Sequence, residues 1–150
     1  MGRMIIAAFV IMAAAVPVFA GEDVTYEKDI KGIIAKQCLV CHGSDSPTME
    51  EFKKDEAGNK KKMKGPRFDT YANLMVVVKG SDAGALMRRL DDGKNTKDGK
   101  PGNMHAHLGS TDAERSANLD TFKKWVGSWS LKRKKELSNE ELEAIKAPEK

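Results

Sequence analysis

The run Cys38-Leu39-Val40-Cys41-His42 holds both cysteines of the 150-residue chain and one of its three histidines. Its pattern, CxxCH, is the attachment signature of a c-type haem. The spacing has a chemical reason. Two thiols three residues apart on a helical turn can add across the two vinyl groups on one edge of a porphyrin, and the imidazole that follows swings beneath the ring to the iron. Two other chemistries use such a pair. A thioredoxin-like redox couple wants a strand before it and a helix after it, whereas helical periodicity precedes Cys38 and polar residues follow His42. A zinc site wants a second CxxC or paired histidines, and the chain has no further cysteine.

Upstream, Val24, Ile30, Ile33 and Ile34 recur at helical spacing with Thr25 as an N-cap. A first helix is predicted over residues 25–37, delivering the chain to Cys38. Before it, residues 1–20 combine Arg3, an almost unbroken apolar run from Met4 to Val16, and the compact residues Val18-Phe19-Ala20. This is the pattern of a secretory signal peptide; retained, the same run would be an N-terminal anchor. No cysteine follows it directly, so a lipid anchor is not indicated. Thioether attachment takes place outside the cytoplasm, so both signals predict a periplasmic or otherwise exported mature protein.

Downstream, residues 44–67 carry many charges, with Gly58, Asn59, Gly65 and Pro66 as breakers. They read as a polar insertion with one short helix at 47–54. A second helix is predicted at 70–78 and a third at 83–90, capped by Ser81 or Asp82 and stopped by Asp91-Asp92-Gly93. A Gly-, Asp- and Lys-rich loop leads to Met104. Thr111 and Glu114 then form a capping box for a helix that places Leu119, Phe122, Val126 and Trp129 on one face. Ser138 and Glu141 form another box for a short helix at 139–145. No strand signal of comparable quality occurs, so the fold class is all-α. The organisation expected is a haem-binding domain over 21–130, with insertion 44–67, and a charged extension over 131–150.

Hydrophobic residues make up 40% and aromatic ones 6%. That is a thin core for roughly 130 mature residues and argues against a large β-sandwich or α/β enzyme. A buried porphyrin offsets the shortage at about 25 cal/mol per Å² removed from water. Of 26 Lys and Arg, Arg3 falls in the leader, leaving 25 against 22 Asp and Glu. This mild excess is not a nucleic-acid footprint. Beyond Ala20 no stretch approaches the ~20 apolar residues of a membrane span.

Iron held by His42 has one axial position left, and its occupant separates electron transfer from small-molecule chemistry. Met75 and Met87 fall at apolar helical positions and read as core, while Met49 and Met63 lie in the charged insertion. Met104 follows Gly102-Asn103 in an irregular loop, which can present a thioether to the distal face. His105 and His107 stand beside it and imidazole is the stronger ligand. The residues by themselves leave all three open.

CxxCH after a first helix, a short helix carried by Phe68-Asp69-Thr70-Tyr71-Ala72-Asn73-Leu74, the segment 81–90, a glycine-containing loop with Met104, and a final amphipathic helix with Trp125 follow one another in this order. Over residues 24–129 the chain resembles a monohaem class I cytochrome c. The resemblance implies one covalent haem c with its iron, thioether bonds at Cys38 and Cys41, and His42 and Met104 as proximal and distal ligands. It implies that the first and last helices cross beside the haem with Phe122 or Trp125 in the contact. The family's distal methionine is usually followed by proline; here His105 follows. The function implied is electron carriage by a monomer between redox partner proteins, with no enzymatic chemistry. Lys53, Lys54, Lys60, Lys61, Lys62, Lys64 and Arg67 could steer an acidic partner. Two rival readings are a haem-based binder of small ligands and a cytochrome subunit of a larger oxidoreductase.

Overall fold

Thr25 opens the first helix as a two-way cap. Its hydroxyl accepts the Lys28 N–H, and the Asp29 carboxylate accepts the Thr25 N–H. The Ile30 N–H reaches back five residues to the Thr25 carbonyl, so the entry, Tyr26–Ile30, is a π-helical turn before α1 (Lys31–Gln37). The computed structural model describes residues 23–150, and the expected signal peptide, 1–20, lies outside them. Among the described residues every regular element is helical and no strand occurs. None of these helices is long and apolar enough to cross a membrane.

After α1 come the single turn α2 (Leu39–His42), then α3 (Met49–Lys54) and α4 (Glu56–Lys61). Only the first helix of the insertion was expected. α4 exists because Asp55 ends α3 and caps its successor, its carboxylate accepting the Gly58 N–H. α5 (Tyr71–Val78) starts on its expected Thr70 cap. α6 (Ala85–Leu90) departs from expectation: neither Ser81 nor Asp82 caps it, and it begins at Gly84 with φ 77°. A side chain there would meet the Lys132 carbonyl at 2.3 Å, so the left-handed glycine serves a close approach of the C-terminal segment.

α7 (Asp112–Val126) carries the core. Thr111 accepts the Glu114 N–H as a cap should, but the Glu114 carboxylate takes the Ser110 N–H instead of closing the box on Thr111. The same carboxylate also binds Lys36 and Gln37, tying the start of α7 to the end of α1. Leu119, Phe122, Trp125 and Val126 are buried against Tyr26, Ile30 and Ile34. Tyr26 and Trp125 stack at a tilt with centroids 6.5 Å apart, so the first and last core helices do meet, through Trp125. Trp129 lies beyond the helix end, half-buried.

The stretch 131–150 holds α8 (Asn139–Glu143) on a complete Ser138–Glu141 capping box. Its last residues then return to the core, where Ile145 and Ala147 are fully buried. They run beside the end of α7, with Lys146 N–H on the Val126 carbonyl and Ala147 N–H on the Trp125 carbonyl.

Candidate haem site

Cys38 ends α1, and the Cys41 and His42 N–H groups both bond to its carbonyl, at 3.1 and 3.0 Å. This one tight turn brings the two thiols and the imidazole to one place. The returning insertion is fastened to the same turn. Gly65 N–H donates to the Cys41 carbonyl at 2.7 Å, Phe68 N–H to the His42 carbonyl at 2.8 Å, and Ser46 Oγ to Cys41 at 3.0 Å.

These bonds set the histidine ring. His42 Nδ1 stands 2.5 Å from the Pro66 carbonyl. A carbonyl only accepts, so Nδ1 carries the proton and Nε2 keeps its lone pair. Phe68 stacks on the ring at 4.3 Å and 5°. Burial lowers the His42 pKa against the pull of the Pro66 bond, and a charge on nearby His107 lowers it further. The ring is therefore held neutral, in one tautomer and one orientation, as a metal ligand must be.

Cys38 and Cys41 are unbridged and half-buried. Burial pushes the Cys38 thiol up to about 11. A redox-pair nucleophile needs the opposite shift, which argues against thiol exchange at this cysteine.

Met104 is placed by α6. Its N–H bonds to the Arg89 carbonyl at 2.9 Å, and Arg89 Nη1 bonds to Asn103 Oδ1. Gly102 packs so closely on α6 that a Cβ would lie 2.3 Å from the Arg88 carbonyl. Met104 is half-buried against the core, and the 3-10 turn after it, His105–Leu108, touches α1, α6 and α7. His105 Nδ1 donates to the Leu90 carbonyl at 3.1 Å, and His107 is exposed. Of the remaining methionines, Met87 is fully buried with its sulfur accepting the Ser130 N–H, Met75 and Met49 are half-buried, and Met63 is exposed.

Two unbridged thiols, an imidazole with Nε2 available, and half-buried Leu39, Phe68, Tyr71, Met75 and Met104 packed on the core fit a covalently held haem. Cys38, Cys41 and His42 could hold it, with the half-buried Met104 as a candidate thioether ligand.

Several supporting residues were not singled out from the sequence. Gly65 and Pro66 read only as breakers, and Asp91 only as a helix stop. Asp91 is fully buried. Its carboxylate accepts from the Gly93 N–H at 2.9 Å, Asn95 Nδ2 at 2.9 Å and Trp129 Nε1 at 2.8 Å, while its carbonyl accepts the Gly102 N–H. Asp91 thus pins the loop that leads to Met104. Burial alone would raise its pKa, but the bonds from Asn95, Trp129 and the Gly93 N–H outweigh it and hold the carboxyl below the ordinary 3.8. A depressed folded pKa stabilises above the unfolded value and is lost as pH falls through the folded one. Asp91→Asn is therefore expected to cost about 2 kcal/mol at pH 7, since charged hydrogen bonds are lost and a donor faces donors. Urea denaturation at pH 7 and pH 3 checks this: the gap between the two proteins should narrow at pH 3, and an equal gap at both refutes the assignment.

An all-helical fold whose first helix closes on CxxCH, with the histidine ring fixed by a backbone carbonyl, defines a c-type cytochrome. The comparisons name the group within that class. A profile of the family described as PccH cytochrome c matches residues 25–148, and the chain belongs to that family. Among solved structures it is similar to the monohaem cytochrome PccH from Geobacter sulfurreducens, with a TM-score of 0.79 and 48% identity over 85% of this chain and 99% of that one. No curated protein matches the chain. The family is one of haem-based electron carriers.

Proposed function

We propose that this is an exported monohaem c-type cytochrome that passes single electrons between redox partner proteins. Cys38 and Cys41 form the thioethers, His42 is the proximal ligand and Met104 the distal one. The observation that carries this reading is the bond from His42 Nδ1 to the Pro66 carbonyl, which leaves Nε2 as the ligand atom at the end of CxxCH. The relative's printed description as monohaem supports a single cofactor here.

Bound haem supplies a one-electron ferric/ferrous couple. His42 and Met104 would both ligate the iron of a bound haem, which would leave no open position for a substrate and makes the chain an electron carrier in this reading, not an enzyme. The Met104 thioether favours the reduced form and raises the potential relative to a second imidazole. The Asp91-anchored loop keeps that thioether in place through oxidation and reduction. The protein acts as a monomer, outside the cytoplasm, and its basic surface suits acidic partners.

The test joins intact mass to spectra. The mature protein should carry the mass of one haem, and the ferric form should show the weak near-infrared band of methionine ligation. Met104→Ala should remove the band and lower the potential by on the order of 100 mV. Absence of haem mass refutes the reading outright. Absence of the band in the unmutated protein, with a spectrum altered by His105→Ala or His107→Ala, replaces the distal ligand. A rapid spectral shift of the native ferrous protein under carbon monoxide favours the small-ligand binder.

A further inference from the structure

Arg88, Arg133, Lys134 and Lys135 line one groove of about 490 Å³ together with Ser81, Asp82 and Ala83. None of these residues belongs to the CxxCH turn or to the loop that carries Met104. The groove lies between the turn at 81–84, which leads into α6, and the segment 133–135. Its two walls are joined by one bond, from Arg88 Nη1 to the Lys132 carbonyl at 2.6 Å. Gly84 makes room for that bond, since a Cβ there would stand 2.3 Å from the same carbonyl oxygen and 3.1 Å from Arg88 Nη1. The half-buried guanidinium is therefore fixed before any ligand arrives.

The carboxylates that face these cations are both engaged. Asp82 is paired with Lys53 at 2.7 Å and accepts the Ser81 hydroxyl, while Glu136 accepts the Arg133 backbone N–H at 2.7 Å. Lys132 itself is taken by Glu141. Arg88, Arg133, Lys134 and Lys135 form no ion pair with a described residue. Four cations thus stand against the one carboxylate that lines the groove, a formal excess of three. Burial, then repulsion from Arg133 and Arg89, pulls the Arg88 pKa down, and Glu136 and Asp82 offset only part of it. Gathering like charge around a partly desolvated guanidinium is costly unless an anion completes the set.

We propose that this groove is a binding site for a small anion bearing two phosphate groups. Guanidinium forks match the paired oxygens of a phosphate, and lysines add mobile point charges around them. One phosphate monoester carries about −1.5 to −2 at pH 7, so two balance the groove. Its volume is far above the ~30 Å³ share of one water, which leaves room for both. The bound anion bridges α6 to the C-terminal segment and stabilises the fold in proportion to its concentration. The site stands apart from the haem ligation proposed above.

The probe is sodium pyrophosphate, added at low salt to isotope-labelled, haem-loaded protein, with sodium chloride at matched ionic strength as the blank. Saturable shifts of the amide signals of residues 81–84, 88 and 132–135 are expected, together with a rise in melting temperature. Lys134→Glu/Lys135→Glu should weaken binding at least about tenfold. Lys61→Glu/Lys62→Glu, with the same change in net charge, should alter it less than about twofold, because exposed charges at a distance are screened. Arg133→Gln, a milder change at an exposed side chain, should weaken binding about fivefold while leaving the melting temperature of the anion-free protein unchanged. Flotation with cardiolipin vesicles, whose headgroup joins two phosphates, identifies the source. Flotation that pyrophosphate displaces and Lys134→Glu/Lys135→Glu abolishes assigns the phosphates to a lipid headgroup, and pyrophosphate binding without flotation assigns them to a soluble anion. Shifts that do not saturate, chloride acting as well as pyrophosphate, equal weakening by the two charge-reversed pairs, or flotation that pyrophosphate cannot displace overturns the proposal.

Discussion

Gly65→Ala is expected to unseat His42. A Cβ at position 65 would stand 2.1 Å from His42 Cε1, 2.5 Å from Nδ1 and 2.8 Å from Nε2, distances that no real contact tolerates. The backbone cannot yield cheaply, because Gly65 N–H is committed to the Cys41 carbonyl and the following Pro66 restricts the conformation of residue 65. The ring cannot yield either without leaving Pro66 and its stack on Phe68. Overpacking of this kind costs about 3 kcal/mol, and here the strain falls on the proximal ligand of the proposed haem. Haem-loaded protein should drop to a minor fraction of the polypeptide produced, measured as haem absorbance per mass of protein. Gly32→Ala is the control: nothing lies within 4 Å of its Cβ on α1, and it should be neutral or gain about 0.5–1 kcal/mol from helix propensity. Wild-type haem content and spectrum in Gly65→Ala would show that the ring is not held as described.

The turn that gathers Cys38, Cys41 and His42 was legible at CxxCH because it is local: five consecutive residues form it, and their spacing is the signal. What holds that turn was not legible. Pro66 is 24 residues from His42, and a proline carbonyl carries no sequence signal distinguishing an acceptor from a loop bend. α3, α5, α7 and α8 begin on the side-chain caps Thr48, Thr70, Thr111 and Ser138, whereas α4, capped by Asp55, was hidden inside a run of charges. α6 escaped because its start is decided by a distant chain: Gly84 takes a left-handed conformation where the Lys132 carbonyl packs against it. Asp91 was hidden for a related reason. An Asp-Asp-Gly run stops a helix in any context, and only the fold brings Trp129, 38 residues away, to its carboxylate.

The same logic makes the C-terminus the place where charge composition most conceals structure, and it yields the other large effect. Deleting residues 144–150 is expected to lower stability by about 5 kcal/mol, of which burial of Ile145 accounts for roughly 2–3. The rest comes from polar partners. Trp125 Nε1 and the Tyr26 N–H both donate to the Pro148 carbonyl, at 2.8 and 2.9 Å, Tyr71 Oη donates to the Ala147 carbonyl at 2.8 Å, and Lys79 Nζ to the Ile145 carbonyl at 2.9 Å. Trp125 is fully buried and Tyr26 nearly so. Each buried donor left without an acceptor costs about 1–3 kcal/mol, less where water can enter. For a domain of this size the loss corresponds to a fall in melting temperature of about 15 °C or more, read by circular dichroism on haem-loaded protein. Ile145→Ala, which keeps every backbone acceptor, should lose about half as much and so separates packing from hydrogen bonding. A truncated protein that melts within a few degrees of the full chain would mean that Tyr26, Tyr71 and Trp125 find other partners. The last seven residues would then cover the core without supporting it.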